Sequence, residues 1–173
     1  MASPHLSVVI PAFDEASRII PTLEDVVGYL RDQPYPWEVI VVDDGSGDET
    51  AQLVADWSAD HPGVKLVTVP HKGKGWAVKQ GMLEAKGVYA FMCDADSAMP
   101  IRWLDNFIVE MDSGYDIVIG SREIAGARRI DEPVYTHIRG RLFNWIVRLL
   151  AVRGFQDTQC GYKLFKREAV LDL

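Results

Sequence analysis

The stretch Trp37–Thr50, WEVIVVDDGSGDET, contains the pattern from which the fold can be predicted. Its residues Val39–Val42 are consecutive β-branched apolar residues, which is typical of a strand covered on both faces. Asp43-Asp44-Gly45-Ser46 then supplies turn residues, and Ser46 or Asp48 can cap a helix that runs to about Ala59. A buried strand, a polar turn and a helix in this order indicate one unit of an α/β sheet.

The same order recurs along the chain. We predict strands at Leu6–Ile10, Trp37–Val42, Val64–Val69, Val88–Cys93 and Asp116–Ile119, with a further one at Gly161–Phe165. The helices are expected at Glu15–Arg31, from Ser46 or Asp48 to about Ala59, and at Gly75–Ala85, Pro100–Met111 and Tyr135–Val152. In the first of these helices, Pro21 is expected to mark the true first turn. This alternation predicts an α/β fold with an open, mostly parallel central sheet and helices on both faces.

Composition and charge limit the class of protein. The 173 residues are 48% hydrophobic and 25% charged, and they include two cysteines, which excludes a disulfide scaffold and a disordered chain. We expect a single domain over residues 1–173. A C-terminal extension of the natural protein can be absent from this sequence. The net charge of -7 argues against nucleic acid as a partner, whereas residues 122–153 hold seven arginines against three acidic residues. Such a stretch can bind an anionic group or form an ordinary solvated helix face.

Polar residues gather at the ends of the predicted strands, where ligands bind in open α/β sheets. Asp94 and Asp96 follow one strand directly and are two residues apart on an extended segment, so that both can bind one hard cation. Mg²⁺ or Mn²⁺ held in this way takes diphosphate oxygens as further ligands. The alternative interpretation of the same residues is a turn and helix cap before Pro100.

A loop with two lysines and two glycines, His71–Gly75, precedes a predicted helix. Its backbone amides and ammonium groups could approach a phosphate, although an ordinary solvated turn has the same composition. The chain contains neither a GxxxxGK[ST] loop nor a GxGxxG turn, and a dinucleotide is therefore not expected.

Six motifs occur in a fixed order along the chain: VVIPAFDEASRI, EVIVVDDGSGDET, GKGWAVKQGM, DADSAMP, IGSRE and DTQCGYKLF. Together they resemble the family 2 glycosyltransferases of GT-A fold that act on polyprenyl phosphates, with dolichyl-phosphate β-glucosyltransferases and dolichyl-phosphate mannose synthases as the nearest branches. The resemblance covers about residues 6–167. It implies a GT-A nucleotide-diphospho-sugar transferase fold and an inverting hexosyltransferase that uses Mg²⁺ or Mn²⁺.

The resemblance also implies roles for particular residues. The metal pair would be Asp94 and Asp96, with Asp96 also counted as catalytic. Arg122 would face the phosphates. Apart from the resemblance, the arginine-rich stretch after the fifth strand suggests Arg122 first, and then Arg139 and Arg141, as catalytic residues that bind the acceptor phosphate. The nucleotide-sugar site would be formed by Pro11, Ala12, Glu15, Asp43, Asp44, Lys74, Gly75, Asp94 and Ala95. The chain departs from the family pattern at Asp14, where Asn is frequent, and at Ala98, where the mannose synthases usually have Gln.

DADSAMP and DTQCGYKLF resemble the glucosyl branch, which implies glucose transfer from UDP-glucose to polyprenyl or dolichyl phosphate. Mannosyl transfer from GDP-mannose and a family 2 transferase with a non-lipid acceptor are the alternatives. The segment Arg141–Arg153, RLFNWIVRLLAVR, could make peripheral contact with a membrane, at its cytoplasmic face, or could be a core-packed amphipathic helix. Two other classes share the acidic strand ends: a phosphate-receiving signalling domain and a non-catalytic nucleotide-sugar binding module.

Overall fold

The computed structural model describes residues 3–96, 99–121 and 160–170. The predicted helix at Tyr135–Val152 lies outside them. In chain order the elements are β1 (Leu6–Ala12), α1 (Ile19–Arg31), β2 (Trp37–Asp43), α2 (Thr50–Ala59), β3 (Val64–Thr68), α3 (Lys74–Glu84), β4 (Tyr89–Met92), a 3₁₀ turn (Ile101–Trp103), α4 (Leu104–Asp112), β5 (Ile117–Ile119), β6 (Lys163–Lys166) and α5 (Arg167–Val170).

The strands of the described residues form one six-stranded sheet in the order β3-β2-β1-β4-β6-β5. The four strands β3, β2, β1 and β4 are parallel, and β6 pairs antiparallel with β4. The mixed α/β architecture with a mostly parallel sheet is therefore confirmed. Because β1, β2 and β4 run in the same direction, their carboxyl ends meet at one edge of the sheet.

The centre of the sheet is buried on both faces. All seven residues of β1 are buried, and on one face Val9, Ile40 and Val42 pack with Ala77 of α3. Helix α3 approaches the sheet closely at Gly81, where a Cβ atom would lie 2.3 Å from Val9 Cγ1. A larger residue would require a shift of the helix or of the buried valine side chains, and glycine therefore allows this close packing.

Strand β1 is longer than predicted, because it continues through Pro11 to Ala12. Proline lacks the N–H that a sheet ladder uses. The pairing of β1 with β4 extends only to Val9 and Met92, and Pro11 therefore lies beyond the last residue pair of that ladder. Pro21, predicted in the first turn of α1, is the third residue of that helix, which begins at Ile19.

The chain divides into two compact units, residues 1–118 with 162–173 and residues 119–161. The first unit contains the cleft that is presented below. In the second unit the described residues are 119–121 and 160–161. Within the described parts of the chain, none of the helices combines the length and the apolar character needed to cross a membrane.

Candidate active site

A cleft of about 270 Å³ opens at the carboxyl ends of β1, β2 and β4. The structure brings together in its lining eight of the predicted site residues: Pro11, Ala12, Glu15, Asp44, Lys74, Asp94, Ala95 and Asp96. Asp43 and Gly75 are not among the lining residues. Arg122, Arg139 and Arg141 lie outside the described residues.

The loop after β1 is fixed to the start of α2. Asp14 has a φ of 53°, in the left-handed region that short polar residues such as Asn and Asp tolerate. Its Oδ1 accepts a hydrogen bond of 2.8 Å from the Gly47 N–H, and its own N–H donates to Ser46 Oγ at 3.0 Å. The Glu15 N–H donates to Thr50 Oγ1 at 2.8 Å. These bonds give a physical reason for Asn or Asp at position 14 and hold the Glu15 side of the cleft in place.

Asp44, at the end of β2, is buried and fixes the loop that follows β3. Its carboxylate accepts hydrogen bonds from the Lys72 N–H at 3.0 Å and the Gly73 N–H at 2.8 Å, and its Oδ2 lies 2.9 Å from His71 Nδ1. Gly73 takes a φ of 95°, which favours glycine, and α3 begins directly after it. Asp44 therefore determines where Lys74 enters the cleft.

The neighbouring Asp43 is equally buried, with 2% of its surface exposed. Its Oδ2 accepts a hydrogen bond from the Ser46 N–H at 3.2 Å. Its Oδ1 is buried and has no hydrogen-bond partner within the described parts of the chain. A buried acceptor without a partner is uncommon in folded proteins. The place of Asp43 in the nucleotide site stays a prediction.

The end of β4 presents its carboxylates more openly. Lys74 Nζ lies 2.6 Å from Asp94 Oδ1, with the Asp94 side chain 25% exposed and that of Lys74 58% exposed. Asp96 is exposed. Between them Ala95 is buried, and its carbonyl oxygen accepts a hydrogen bond of 2.8 Å from Thr22 Oγ1 of α1. The hydrogen bond from α1 thus anchors the backbone of this segment, while the Asp94 and Asp96 side chains line the cleft.

A buried pair of polar side chains, Cys93 and Tyr162, holds the same segment from the side of β6. The Tyr162 hydroxyl donates to the Met99 carbonyl oxygen, and the Cys93 thiol donates to the Tyr162 oxygen at 3.4 Å. Burial raises the pKa of the Cys93 thiol to about 12 and raises the pKa of Tyr162 above its ordinary value. Both groups therefore stay protonated and act as donors at neutral pH.

Two residues of the cleft were not among the predicted site residues. Phe13 and His71 both line it, and their rings stack with centroids 4.2 Å apart. Phe13 is 44% exposed, an unusual position for a large aromatic side chain. The sequence signal was the aromatic residue in PAFDE, directly after a buried strand. Its stacking partner lies 58 positions further along the chain and could not be identified from local pattern.

The residues at the end of β4 fit a divalent metal ion. The donors are carboxylate oxygens, which Mg²⁺ and Mn²⁺ prefer, and a cationic group already stands against one of them, the Lys74 ammonium. No group of three or more His, Cys, Asp and Glu side chains suited to a metal occurs in residues 3–96, 99–121 and 160–170. A metal held by Asp94 and Asp96 would therefore keep ligand positions for water or diphosphate oxygens.

Comparison with known proteins agrees with this geometry. Residues 7–173 match the family described as Glycosyl transferase family 2. The chain belongs to glycosyl transferase family 2. The family 2 assignment covers nearly all of the chain, including each segment that lines the cleft.

Among curated proteins, the chain is 36% identical over 177 residues to a dolichyl-phosphate beta-glucosyltransferase of Trichomonas vaginalis, covering 95% of this chain and 52% of that protein. It is 34% identical over 182 residues to the dolichyl-phosphate beta-glucosyltransferase of Homo sapiens, covering 95% and 56%. The chain thus spans about half the length of the curated relatives it matches.

A solved structure of similar fold is that of the mannosyltransferase PcManGT from Pyrobaculum calidifontis in complex with GDP-Man and Mn²⁺. The TM-score is 0.59 and the sequence identity 25%, over 97% of this chain and 46% of that one. The GT-A architecture predicted for this family 2 chain is confirmed.

Proposed function

We propose that this protein is an inverting hexosyltransferase that moves glucose from a nucleotide-diphosphate sugar to a polyprenyl phosphate such as dolichyl phosphate. The observation that carries the proposal is the placement of Asp94 and Asp96 in one cleft with Asp44 and Lys74, at the carboxyl ends of parallel strands. The relatives named dolichyl-phosphate beta-glucosyltransferase support glucose as the sugar and dolichyl phosphate as the acceptor.

The metal-binding residues would be Asp94 and Asp96, with Mg²⁺ or Mn²⁺ as the ion. When bound, the ion supplies positive charge against the diphosphate that leaves the sugar. The Mn²⁺ in the Pyrobaculum structure supports this choice of ion. Ala95, whose carbonyl is held by Thr22, keeps the two carboxylates on a fixed backbone.

The remaining residues of the cleft would hold the donor. Pro11, Ala12 and Glu15 lie on the β1 side, where hydrogen bonds to Ser46 and Thr50 fix the loop. Lys74 brings an ammonium group to the metal side, where it would attract the diphosphate. Asp43 and Gly75, the chain neighbours of the lining residues Asp44 and Lys74, would complete the nucleotide site.

The acceptor supplies its own nucleophile, and a catalytic base is therefore not required. A phosphomonoester has a second pKa of about 6 and is mostly a dianion at neutral pH. An oxygen of the polyprenyl phosphate would attack the anomeric carbon in line. The bond from that carbon to the diphosphate oxygen would break, its electron pair leaving with the nucleoside diphosphate, and the configuration inverts.

Two anions must approach each other in this reaction, and arginine suits that task through its paired contacts with phosphate oxygens. Arg122, Arg139 and Arg141 are our candidates for holding the acceptor phosphate. The Arg141–Arg153 segment would make peripheral contact with the cytoplasmic face of the membrane that contains the acceptor. We also propose that residues 1–173 belong to one catalytic domain.

Mannosyl transfer from GDP-mannose is the second candidate. It is supported by the Pyrobaculum mannosyltransferase, whose structure holds GDP-Man and which is 25% identical to this chain. The two candidates share the metal pair, the acceptor and the inverting displacement, and they differ in the sugar and the base.

A donor panel tests the proposal. The protein is incubated with Mn²⁺, polyprenyl phosphate and either UDP-glucose or GDP-mannose labelled in the sugar, and label is counted in the organic extract. We expect extractable label with UDP-glucose, lost on chelation of the metal and on omission of the lipid. A preference for GDP-mannose would favour the second candidate, and the absence of extractable label with either donor would contradict both. Donor binding without any transfer would indicate a binding module.

A further inference from the structure

Lys74 is placed to compete with a metal ion for Asp94. The ammonium group lies 2.6 Å from Asp94 Oδ1, one of the four carboxylate oxygens that the metal pair can offer. This is a contact between residues 20 positions apart, from the first residue of α3 to the end of β4. A cation therefore already neutralises the more enclosed of the two carboxylates.

The backbone at Lys74 is anchored, whereas its ammonium group can exchange one anionic contact for another. Asp44 accepts hydrogen bonds from the N–H groups of Lys72 and Gly73, and these bonds anchor the backbone directly before Lys74. The side chain itself is more than half exposed, and ion pairs of such exposure are weak and easily exchanged. A buried pair, by contrast, could not lose one partner without a large cost.

We propose that Lys74 is an exchangeable counter-cation of Asp94, which makes occupation of the metal site depend on the nucleotide diphosphate. The inference rests on the proposed function, because it takes Asp94 as a metal ligand. Without the nucleotide, an incoming divalent cation must displace the ammonium and is repelled by it at short range. The diphosphate gives the ammonium a new partner, and the metal then binds Asp94 without that competition. By linkage, the metal strengthens nucleotide binding by the same factor.

The neighbouring lysines provide a matched control. Lys72 lies over the Trp76 ring, 4.3 Å from its centroid, and so has another contact. Lys79 is exposed on the same helix as Lys74 and does not line the cleft. Replacing Lys79 by methionine removes one positive charge from α3 and leaves the contact with Asp94 intact.

Mn²⁺ binding, followed by electron paramagnetic resonance of the free ion, tests the proposal without a transfer assay. The original protein, Lys74→Met and Lys79→Met are each titrated with and without UDP. We expect Lys74→Met to bind Mn²⁺ alone about fivefold or more tightly than the original protein, and UDP to improve its Mn²⁺ affinity far less. Lys79→Met should behave like the original protein, and Lys74→Arg, which keeps the charge, should retain the UDP effect.

Equal or weaker Mn²⁺ binding by Lys74→Met, compared with Lys79→Met, would overturn this inference and leave the proposed function standing. Absence of Mn²⁺ binding in every variant, with UDP present, would contradict both. Circular dichroism and thermal unfolding confirm that each variant is folded, as expected for exposed side chains.

Discussion

Two aspartates follow or end β2 and two follow β4, but the first two are buried and the second two are more exposed. Asp43 and Asp44 are each 2% exposed, and Asp44 accepts two backbone N–H bonds and contacts His71. Asp94 and Asp96 face the cleft, and Asp94 pairs with an exposed lysine side chain. The Asp44 carboxylate is thus bonded mainly to backbone, whereas Asp94 pairs with a cation and Asp96 is exposed in the cleft.

This difference distinguishes a structural role, which is to shape the cleft, from a ligand-binding role, and the sequence alone does not tell the two apart. Hydrogen bonds from backbone N–H groups hold a carboxylate in one geometry, so the end of β2 shapes the cleft. Around Asp94 and Asp96 the fixed part is the backbone, through Thr22 and Tyr162, while the carboxylate oxygens stay available. We infer that substitution of Asp44 lowers folding stability in addition to its effect on donor binding, whereas substitution of Asp94 or Asp96 acts mainly on activity.

The largest effect is expected for Asp96→Ala. If this carboxylate binds the metal that stabilises the leaving diphosphate, its loss should lower the rate of glucosyl transfer by about two to three orders of magnitude. The free energy of unfolding should change by less than about 1 kcal/mol, because Asp96 is exposed. Transfer rates and urea unfolding of the same preparation check both parts. Near-normal turnover would remove Asp96 from the catalytic centre.

Asp44→Ala is expected to lower folding stability, which Asp96→Ala should leave nearly unchanged. It leaves the Lys72 and Gly73 N–H groups without their acceptor and frees the loop after β3, so the free energy of unfolding should fall by about 2–3 kcal/mol. Urea unfolding measures this, with Asp60→Ala, an exposed aspartate after α2, as the control. If both variants unfold at the same urea concentration, Asp44 is not a structural anchor and the contrast between the two strand ends fails.

The parts of the fold that could be predicted are those whose signal is local. The run Val39–Val42 is buried, as expected for a strand that is covered on both faces, and β2 ends at Asp43, one residue beyond the predicted end. The antiparallel β6 between β4 and β5 was not predicted in that position, because its pairing with β4 depends on contacts between residues more than 70 positions apart.

In the site, residue types were predictable and their partners were not. The carboxylates of Asp94 and Asp44 follow strands in the same way, and nothing local separates them. The separation comes from residues 71–74, which bring backbone N–H groups to Asp44 and an ammonium group to Asp94. The Phe13–His71 stack was missed for the same reason, because it joins two loops that only the fold brings together.

Tyr162→Phe examines the backbone support at the end of β4. It removes the hydrogen bond to the Met99 carbonyl oxygen and one of the two acceptors of the Cys93 thiol, and keeps the edge-on contact with Phe91. We expect the free energy of unfolding to fall by about 1 kcal/mol. Tyr115→Phe, at an exposed tyrosine, is the matched control and should be nearly silent. Equal stability of the two variants would mean that this segment is held by other contacts.

Substitution of Asp48, in the loop after β2, is expected to have the smallest effect on folding stability, and this effect should depend on pH. It accepts hydrogen bonds from the Thr50 hydroxyl and N–H and from the Ala16 N–H, which join the start of α2 to the loop after β1. The Thr50 hydroxyl lowers the pKa of Asp48 in the folded state. The ionised carboxylate therefore stabilises the fold above the ordinary aspartate pKa, and this contribution is lost as the pH falls through the lowered value.

Asp48→Asn should accordingly be less stable than the original protein at about pH 7, with the difference shrinking as the pH is lowered below about 4. Urea unfolding across this range measures the difference, and Asp60→Asn corrects for the loss of one negative charge. A difference that stays constant with pH would show that the bonds to Asp48 do not depend on its charge. The anchoring of the β2 side would then rest on neutral hydrogen bonds, and its contrast with the charge-dependent end of β4 would become sharper.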